Sequence, residues 1–203
     1  MKTLSMATAS GFVFATMLGA FAFAQTPGGQ GGPPVLASKL APPRGGSARL
    51  LVTSDAFGAG KSLDDKYTQN GQDVSPPLAW TKGPAGTQSY VVLTEDAGVD
   101  RKEPISHWVV YDIPSTMTRL PENVPATAKL DSGAMQGLNV RKAAGFVGPK
   151  PPAGQTHPYH FEVFALNARL NLDPSKADRD AVVDAMKGHV LAAGDMVTNY
   201  TGK

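Results

Sequence analysis

Cysteine is absent from the chain. That excludes disulfides, a thiolate nucleophile and any Cys-ligated metal, and leaves His and carboxylate as the only strong metal ligands. Charge is also sparse: 18% of residues are Asp, Glu, Lys or Arg, and the formal net charge is +2. No run of Lys or Arg occurs, so the clustered basic charge of a nucleic-acid footprint is missing. There is no G-x-S-x-G elbow and no Walker loop, so neither of those hydrolase signatures applies. Histidine is scarce, with four in all (His107, His157, His160 and His189).

What is present begins with an N-terminal leader. Lys2 supplies a short positive region, residues 11–23 (GFVFATMLGAFAF) an uncharged apolar stretch, and Ala22-Phe23-Ala24 a small-x-small cleavage signal. This pattern predicts a signal peptide over 1–24, cleaved before Gln25, and a periplasmic or secreted mature protein. The apolar core is shorter than the roughly 20 residues of a spanning helix, so no stable membrane anchor is expected after cleavage. Residues 25–46 (TPGGQGGPP, then APPRGG) are dense in Pro and Gly. They bury too little surface to offset chain entropy and read as a flexible tether. The folded domain is expected over 47–203.

Strand patterns dominate that domain. Residues 48–52 are a short apolar run, and 89–94 (SYVVLT) are β-branched and apolar. Residues 107–113 (HWVVYDI) alternate, which places His107, Val109, Tyr111 and Ile113 on one face. Residues 159–166 (YHFEVFAL) place Tyr159, Phe161, Val163 and Ala165 on one face, joined by His157 if the strand starts early. One helix is clear near the C-terminus. Asp173 or Ser175 caps it, and Ala177, Ala181, Val182, Ala185 and Met186 form its stripe, with continuation through residues 189–193 to Gly194. Residues 196–200 read as a last strand. The fold class is mainly β: an antiparallel β-sandwich with a few peripheral helices.

Two of the four histidines stand beside Trp, Tyr, Pro and Gly rather than among surface charges. If the strands bring Asp96, His107, His157 and Tyr159 together, two imidazoles and a phenol can hold a small anion such as a phosphate monoester. Asp96 can orient one imidazole or accept from a ligand ammonium. Pro151 and Pro152 stiffen the adjoining loop, Gly148 and Gly154 permit close backbone approach, and Trp80 and Trp108 offer apolar walls. A core role for each residue taken singly remains open. So does a two-His-one-carboxylate metal site or acid–base work by Asp96 and His107, though neither metal-helix spacing nor a nucleophile accompanies them.

Several markers stand in order along the chain: residues 67–71 (YTQNG), 74–80 (VSPPLAW), Glu95-Asp96, residues 107–114 (HWVVYDIP), the 148–159 loop and residues 188–192 (GHVLA). With these the chain resembles the phosphatidylethanolamine-binding proteins, in their bacterial Raf kinase inhibitor-like branch, from about Arg49 to Tyr200. The resemblance implies a β-sandwich with a small anion pocket that takes phosphate-like head groups. By position the pocket comprises Asp96, His107, Gly148, Pro152, His157 and Tyr159, with no cofactor and no metal. Two departures stand out. The family's Asp-Pro-Asp-Ala-Pro is Asp96-Ala97-Gly98-Val99-Asp100 here, which predicts a more flexible wall. The Arg of its His-Arg-Tyr is Pro158, which removes a cation. The function expected is binding of a small anionic ligand, ahead of a protein-interaction role that inhibits a kinase or peptidase, and ahead of a hydrolase.

Overall fold

The computed structural model describes Met1, residues 32–46 and residues 48–203. The expected signal peptide and its cleavage site lie outside the described residues apart from Met1. Among the described residues, eight strands make two antiparallel sheets. The larger has the order β6-β4-β3-β7-β8, with β3 Ser89–Asp96, β4 Ile105–Pro114, β6 Met135–Gln136, β7 Thr156–Leu166 and β8 Val190–Thr201. The smaller joins β1 Val52–Thr53, β2 Leu78–Trp80 and β5 Arg119–Leu120.

The large sheet is covered on both faces, which explains its sequence. Its central strand β3 is buried at all eight positions, so its hydropathy does not alternate as a half-exposed strand would. On the front, Tyr90, Val92, Trp108, Val110, Tyr159, Phe161, Val163 and Met196 pack with Val52, Leu78, Trp80 and Leu120 of the small sheet. On the back, Val91, Leu93, Val109, Tyr111, Phe164 and Leu166 pack under two helices, α1 Ala37–Leu40 and α2 Arg179–Met186. This is the expected sandwich with peripheral helices. The expected stripe of β7 also holds, since Tyr159, Phe161, Val163 and Ala165 all join the front cluster.

Strand β4 departs from the expected alternation. Val109 and Tyr111 face the back, while Trp108, Val110 and Ile113 face the front. Two bulges cause this. Thr94 pairs with Trp108 but Glu95 pairs with Ser106, so His107 is an extra residue without an opposite. A second shift falls between the Tyr90–Ile113 and Val92–Val110 pairs. There Asp112 takes φ 53°, and its carboxylate accepts the Leu170 and Asn171 N–H groups at 2.6 and 2.9 Å. Each bulge shifts the two-residue period by one.

The helix is shorter than the stripe suggested. Asp178 caps it by accepting the Ala181 N–H, and Arg179, Val182, Val183 and Met186 are its buried residues. Gly188, at φ 75°, turns the chain. Residues 190–193, expected to prolong the helix, open β8 instead, because β8 pairs with β7 along its length.

The tether is corrected in its second half. Ala37 and Ala41 are buried under the back face, and the Arg44 N–H donates to the Val190 carbonyl at 2.9 Å. The low hydrophobicity of this segment concealed its docking, because polar groups on the sheet hold its backbone.

Candidate functional site

The front edge of the sheet, where β3, β4 and β7 end together, gathers four of the expected site residues. Asp96 is the last residue of β3 and pairs with Tyr159 of β7. His157 stands two residues earlier in β7, on the same face. Its Nδ1 lies 3.0 and 2.9 Å from the two carboxylate oxygens of Asp96, and its Nε2 lies 3.3 Å from the Gln155 side-chain oxygen. The β4 bulge turns His107 to the same side as Trp108, and the His107 ring meets the Tyr159 ring edge-on with centroids 5.3 Å apart. All four are nearly sealed: Asp96 is 3% exposed, His107 4%, His157 6% and Tyr159 0%.

Two polar atoms in this cluster have no partner. His107 Nε2 and Tyr159 Oη are both buried and unbonded. Such groups cost about 1–3 kcal/mol each when left unsatisfied. The other His107 nitrogen is satisfied, since Nδ1–H donates to the Val147 carbonyl at 2.6 Å. That bond fixes the tautomer. Burial pushes the His107 pKa down against the pull of the Val147 bond, Asp96 and Asp73, so the ring is a neutral imidazole with its Nε2 lone pair facing the site. Burial, and then the nearby Asp96 carboxylate, push the Tyr159 hydroxyl upward. It remains a phenol with a proton to donate. The site therefore offers one acceptor and one donor side by side, next to a carboxylate already tied to His157. A protonated oxyanion, which both donates and accepts, matches that pair.

The wall around Asp96 is tied, not loose. Asp96 Oδ1 accepts the Gly98 N–H at 2.8 Å, and the Ala97 N–H donates to the Pro158 carbonyl at 3.1 Å. Gly98 lies flat on His157: a Cβ there would fall 2.4 to 2.8 Å from the His157 Cγ, Cβ and Cδ2 atoms. Hydrogen bonds and a missing side chain do here what the absent prolines were expected to do. Nothing in the spacing marked Gly98, because only its contact with a distant residue gives it meaning.

Three further residues, none of them among the expected site residues, support His107 from behind. The Gly148 N–H donates to Asp73 Oδ1 at 2.6 Å, and the Gly148 carbonyl accepts from Gln69 Nε2 at 2.7 Å. Arg141 braces both, with Nη2 2.6 Å from Gln69 Oε1 and Nη1 3.6 Å from Asp73 Oδ2. This holds the Val147–Gly148 peptide that receives His107. The 67–71 motif carried the signal, but its role becomes visible only when it meets residue 148.

The other expected site residues have different places. Gly148 does permit close approach, but to the chain itself: a Cβ would meet the Tyr67 carbonyl oxygen at 2.6 Å and Thr68 Cα at 2.7 Å. Pro152 is exposed in a turn closed by the Gln155 N–H to its carbonyl at 3.0 Å, and that turn adjoins Gly202. The turn leads into the histidine strand. Trp80 packs edge-on against Tyr90, at the far end of β3 from Asp96, and is not a wall of the site. Trp108 is fully buried, donates to Gln136 Oε1 at 2.7 Å and packs against Phe146. It is a core anchor beneath His107. Among the described residues no group of three or more His, Asp or Glu side chains is placed to hold a metal ion.

Comparison with known proteins agrees with this architecture. The family model described as phosphatidylethanolamine-binding protein matches residues 53–201. A UPF0098 protein of Methanothermobacter thermautotrophicus is 37% identical over 151 residues, covering 74% of this chain and 98% of the relative. One from Aquifex aeolicus is 38% identical over 160 residues, covering 76% and 90%. Among solved structures, E. coli YbcL, described as a new member of the mammalian PEBP family, superposes with a TM-score of 0.70 at 31% identity. It covers 77% of this chain and all of its own. A phosphatidylethanolamine-binding protein homolog from Chlamydia trachomatis gives 0.68 at 29%, with the same coverage. The family match opens on the last residue of β1 and closes on the last residue of β8, so it spans both sheets, and the chain belongs to the phosphatidylethanolamine-binding protein family.

Proposed function

We propose that this chain binds a small phosphorylated ligand, inorganic phosphate or a phosphorylated head group, between His107, Tyr159 and the Asp96–His157 pair. The observation that carries the reading is the pair of buried, unpartnered atoms, His107 Nε2 and Tyr159 Oη. A ligand phosphate satisfies both. Its P–OH donates to His107 Nε2 and a second oxygen accepts from Tyr159 Oη. Asp96 disfavours a bare dianion next to it and favours a ligand that keeps a proton or carries an ammonium group. Phosphorylethanolamine has both features. The role is binding, with no bond made or broken.

The same reading makes residues 1–24 a cleavable leader and places the mature protein in the periplasm or outside the cell. It also assigns the finer kinship, the Raf kinase inhibitor-like branch, which the marker motifs support. The test is calorimetric titration with phosphate and with phosphorylethanolamine, alongside His157→Ala. Saturable binding that the variant loses supports the pocket; absence of binding by the unmodified protein overturns it. Mass spectrometry of the N-terminus from separated cell fractions checks the leader. A mature chain starting at Gln25 outside the cytoplasm is expected, and an intact cytoplasmic chain refutes export.

A further inference from the structure

The back face carries a second ionisable cluster, independent of the front site. Glu95 and Glu162 are both fully buried there. Glu162 pairs with Leu93 and Glu95 with His160, so the two carboxylates are diagonal neighbours on adjacent strands, close enough to interact. Among the described residues, the guanidinium buried with them is that of Arg179 of α2. Its Nε binds Glu95 Oε1, and its Nη1 is also engaged by Asp180 at 2.9 Å.

Residues 35–41 lie across this cluster. The Ala37 N–H donates to Glu95 Oε2 at 3.0 Å and the Ser38 N–H to Glu162 Oε1 at 3.2 Å. Arg179 Nη2 donates to the Val35 carbonyl at 2.7 Å. The side chains that hold this segment are therefore the ionisable ones. Glu162 Oε2 is buried with no partner.

Charge counting decides what this means. The groups facing Glu162 are Glu95 from β3, Asp195 from β8 with His160 beside it, and the Ser38 amide, while Arg179 of α2 faces Glu95. His160 Nδ1 is 2.7 Å from Asp195 and is spent on that residue. The guanidinium is thus committed to Glu95 and Asp180, and among the described residues Glu162 forms no ion pair. A second buried negative charge without compensation is costly, and such a pair holds a proton instead. Burial, and then Glu95, do push Glu162 well above the usual carboxylate range.

We infer that residues 35–41 form a proton-gated strap: docking over the Glu95–Glu162 pair takes up one proton on Glu162, and losing that proton releases the strap from the sheet. The sign follows from linkage. Burial beneath the strap raises Glu162, and this outweighs the Ser38 N–H bond, which lowers it. Docking is therefore at full strength below the open-state pKa and weakens as pH rises through the docked value. With one proton involved, the docking constant falls by at most about tenfold per pH unit.

The test is amide hydrogen exchange in the whole chain, corrected for intrinsic base catalysis, over roughly pH 5 to 9. Ala37 and Ser38 report the strap and the Leu93 amide serves as the internal reference. Protection at Ala37 and Ser38 is expected to drop at least tenfold relative to Leu93 as pH rises. In Glu162→Gln, which carries an amide in place of the protonated carboxyl, the drop is expected to vanish. A flat profile in the unmodified protein, or the same slope in E162Q, overturns the inference. A side-chain carboxyl titration of Glu162 in the unmodified protein decides the question without the variant. Its transition must coincide with loss of strap protection, and a transition elsewhere refutes the proton as the gate.

Discussion

Gly98 and His157 touch across the mouth of the front site, and they do so because Gly98 has no Cβ. The loop after β3 closes directly onto the imidazole that Asp96 holds. Gly98→Ala puts a methyl within 2.4 Å of the ring carbon Cγ. It is expected to cost about 1–3 kcal/mol, as overpacking does, and to weaken phosphate binding at least tenfold by moving His157. Denaturant unfolding and phosphate titration of the same variant check both. Unchanged affinity with full stability would show that the loop gives way without disturbing the ring.

Tyr159→Phe separates binding from stability. The hydroxyl is buried without a partner, so deleting it removes an unsatisfied group. The folded protein should be as stable as the parent or firmer by up to about 1 kcal/mol. Phosphate affinity should fall by about tenfold, the worth of one hydrogen bond to a charged ligand. A thermal melt and a binding titration in parallel read the two effects, and a loss of stability with unchanged binding contradicts the assignment.

His107 makes stability depend on pH in the absence of ligand. Its folded pKa is lowered from the ordinary 6.5, so the unfolded chain binds the extra proton first. Its contribution is fully present above about 6.5 and is lost as pH falls through the lower folded value. His107→Gln should flatten that part of the profile in urea unfolding from neutral to mildly acidic pH. Ligand reverses the local trend: a phosphate that donates to Nε2 brings a proton with it, so affinity should decline as pH rises and the ligand loses that proton.

Asp112 should be a stability hot spot remote from the ligand. It sits at a positive φ and accepts two backbone N–H groups from the turn before α2. Asp112→Ala loses both acceptors and strains the backbone, for an expected loss of about 2–4 kcal/mol. Asp112→Gly keeps the conformation and should lose less. Denaturant midpoints of the two variants rank them, and an Ala variant as stable as the Gly variant would argue against backbone strain.

The sandwich, the β7 stripe and the convergence of Asp96, His107, His157 and Tyr159 were legible in the sequence. Alternation, turn residues and scarce histidines are local signals with strong physical causes. The faces of β4 were not legible, because a single-residue bulge at His107 leaves no mark in composition yet reverses the side chains as far as the second bulge at Asp112. Docking of residues 35–41 was equally hidden. The segment is held by its own amides against Glu95 and Glu162, and main-chain donors are the same in every sequence. Trp80 and Trp108 were misplaced because aromatic character alone does not distinguish a core anchor from a pocket wall. The supports at Gln69, Asp73 and Arg141 act through one peptide bond far along the chain, a relation no local window contains.

Glu95 and Asp96 are consecutive, yet one carboxylate serves the strap on the back of the sheet and the other orients His157 on the front. Strand geometry assigns them by parity alone. Deleting or inserting one residue within β3 would exchange the two faces, sending the histidine's partner to the strap and the strap's acceptor into the ligand site. Substitution can tune either cluster separately, but a change in length at this strand alters both at once. The spacing of β3 thus couples the two clusters, and divergence among relatives of this chain should enter here by replacement, with gaps confined to the loops on either side.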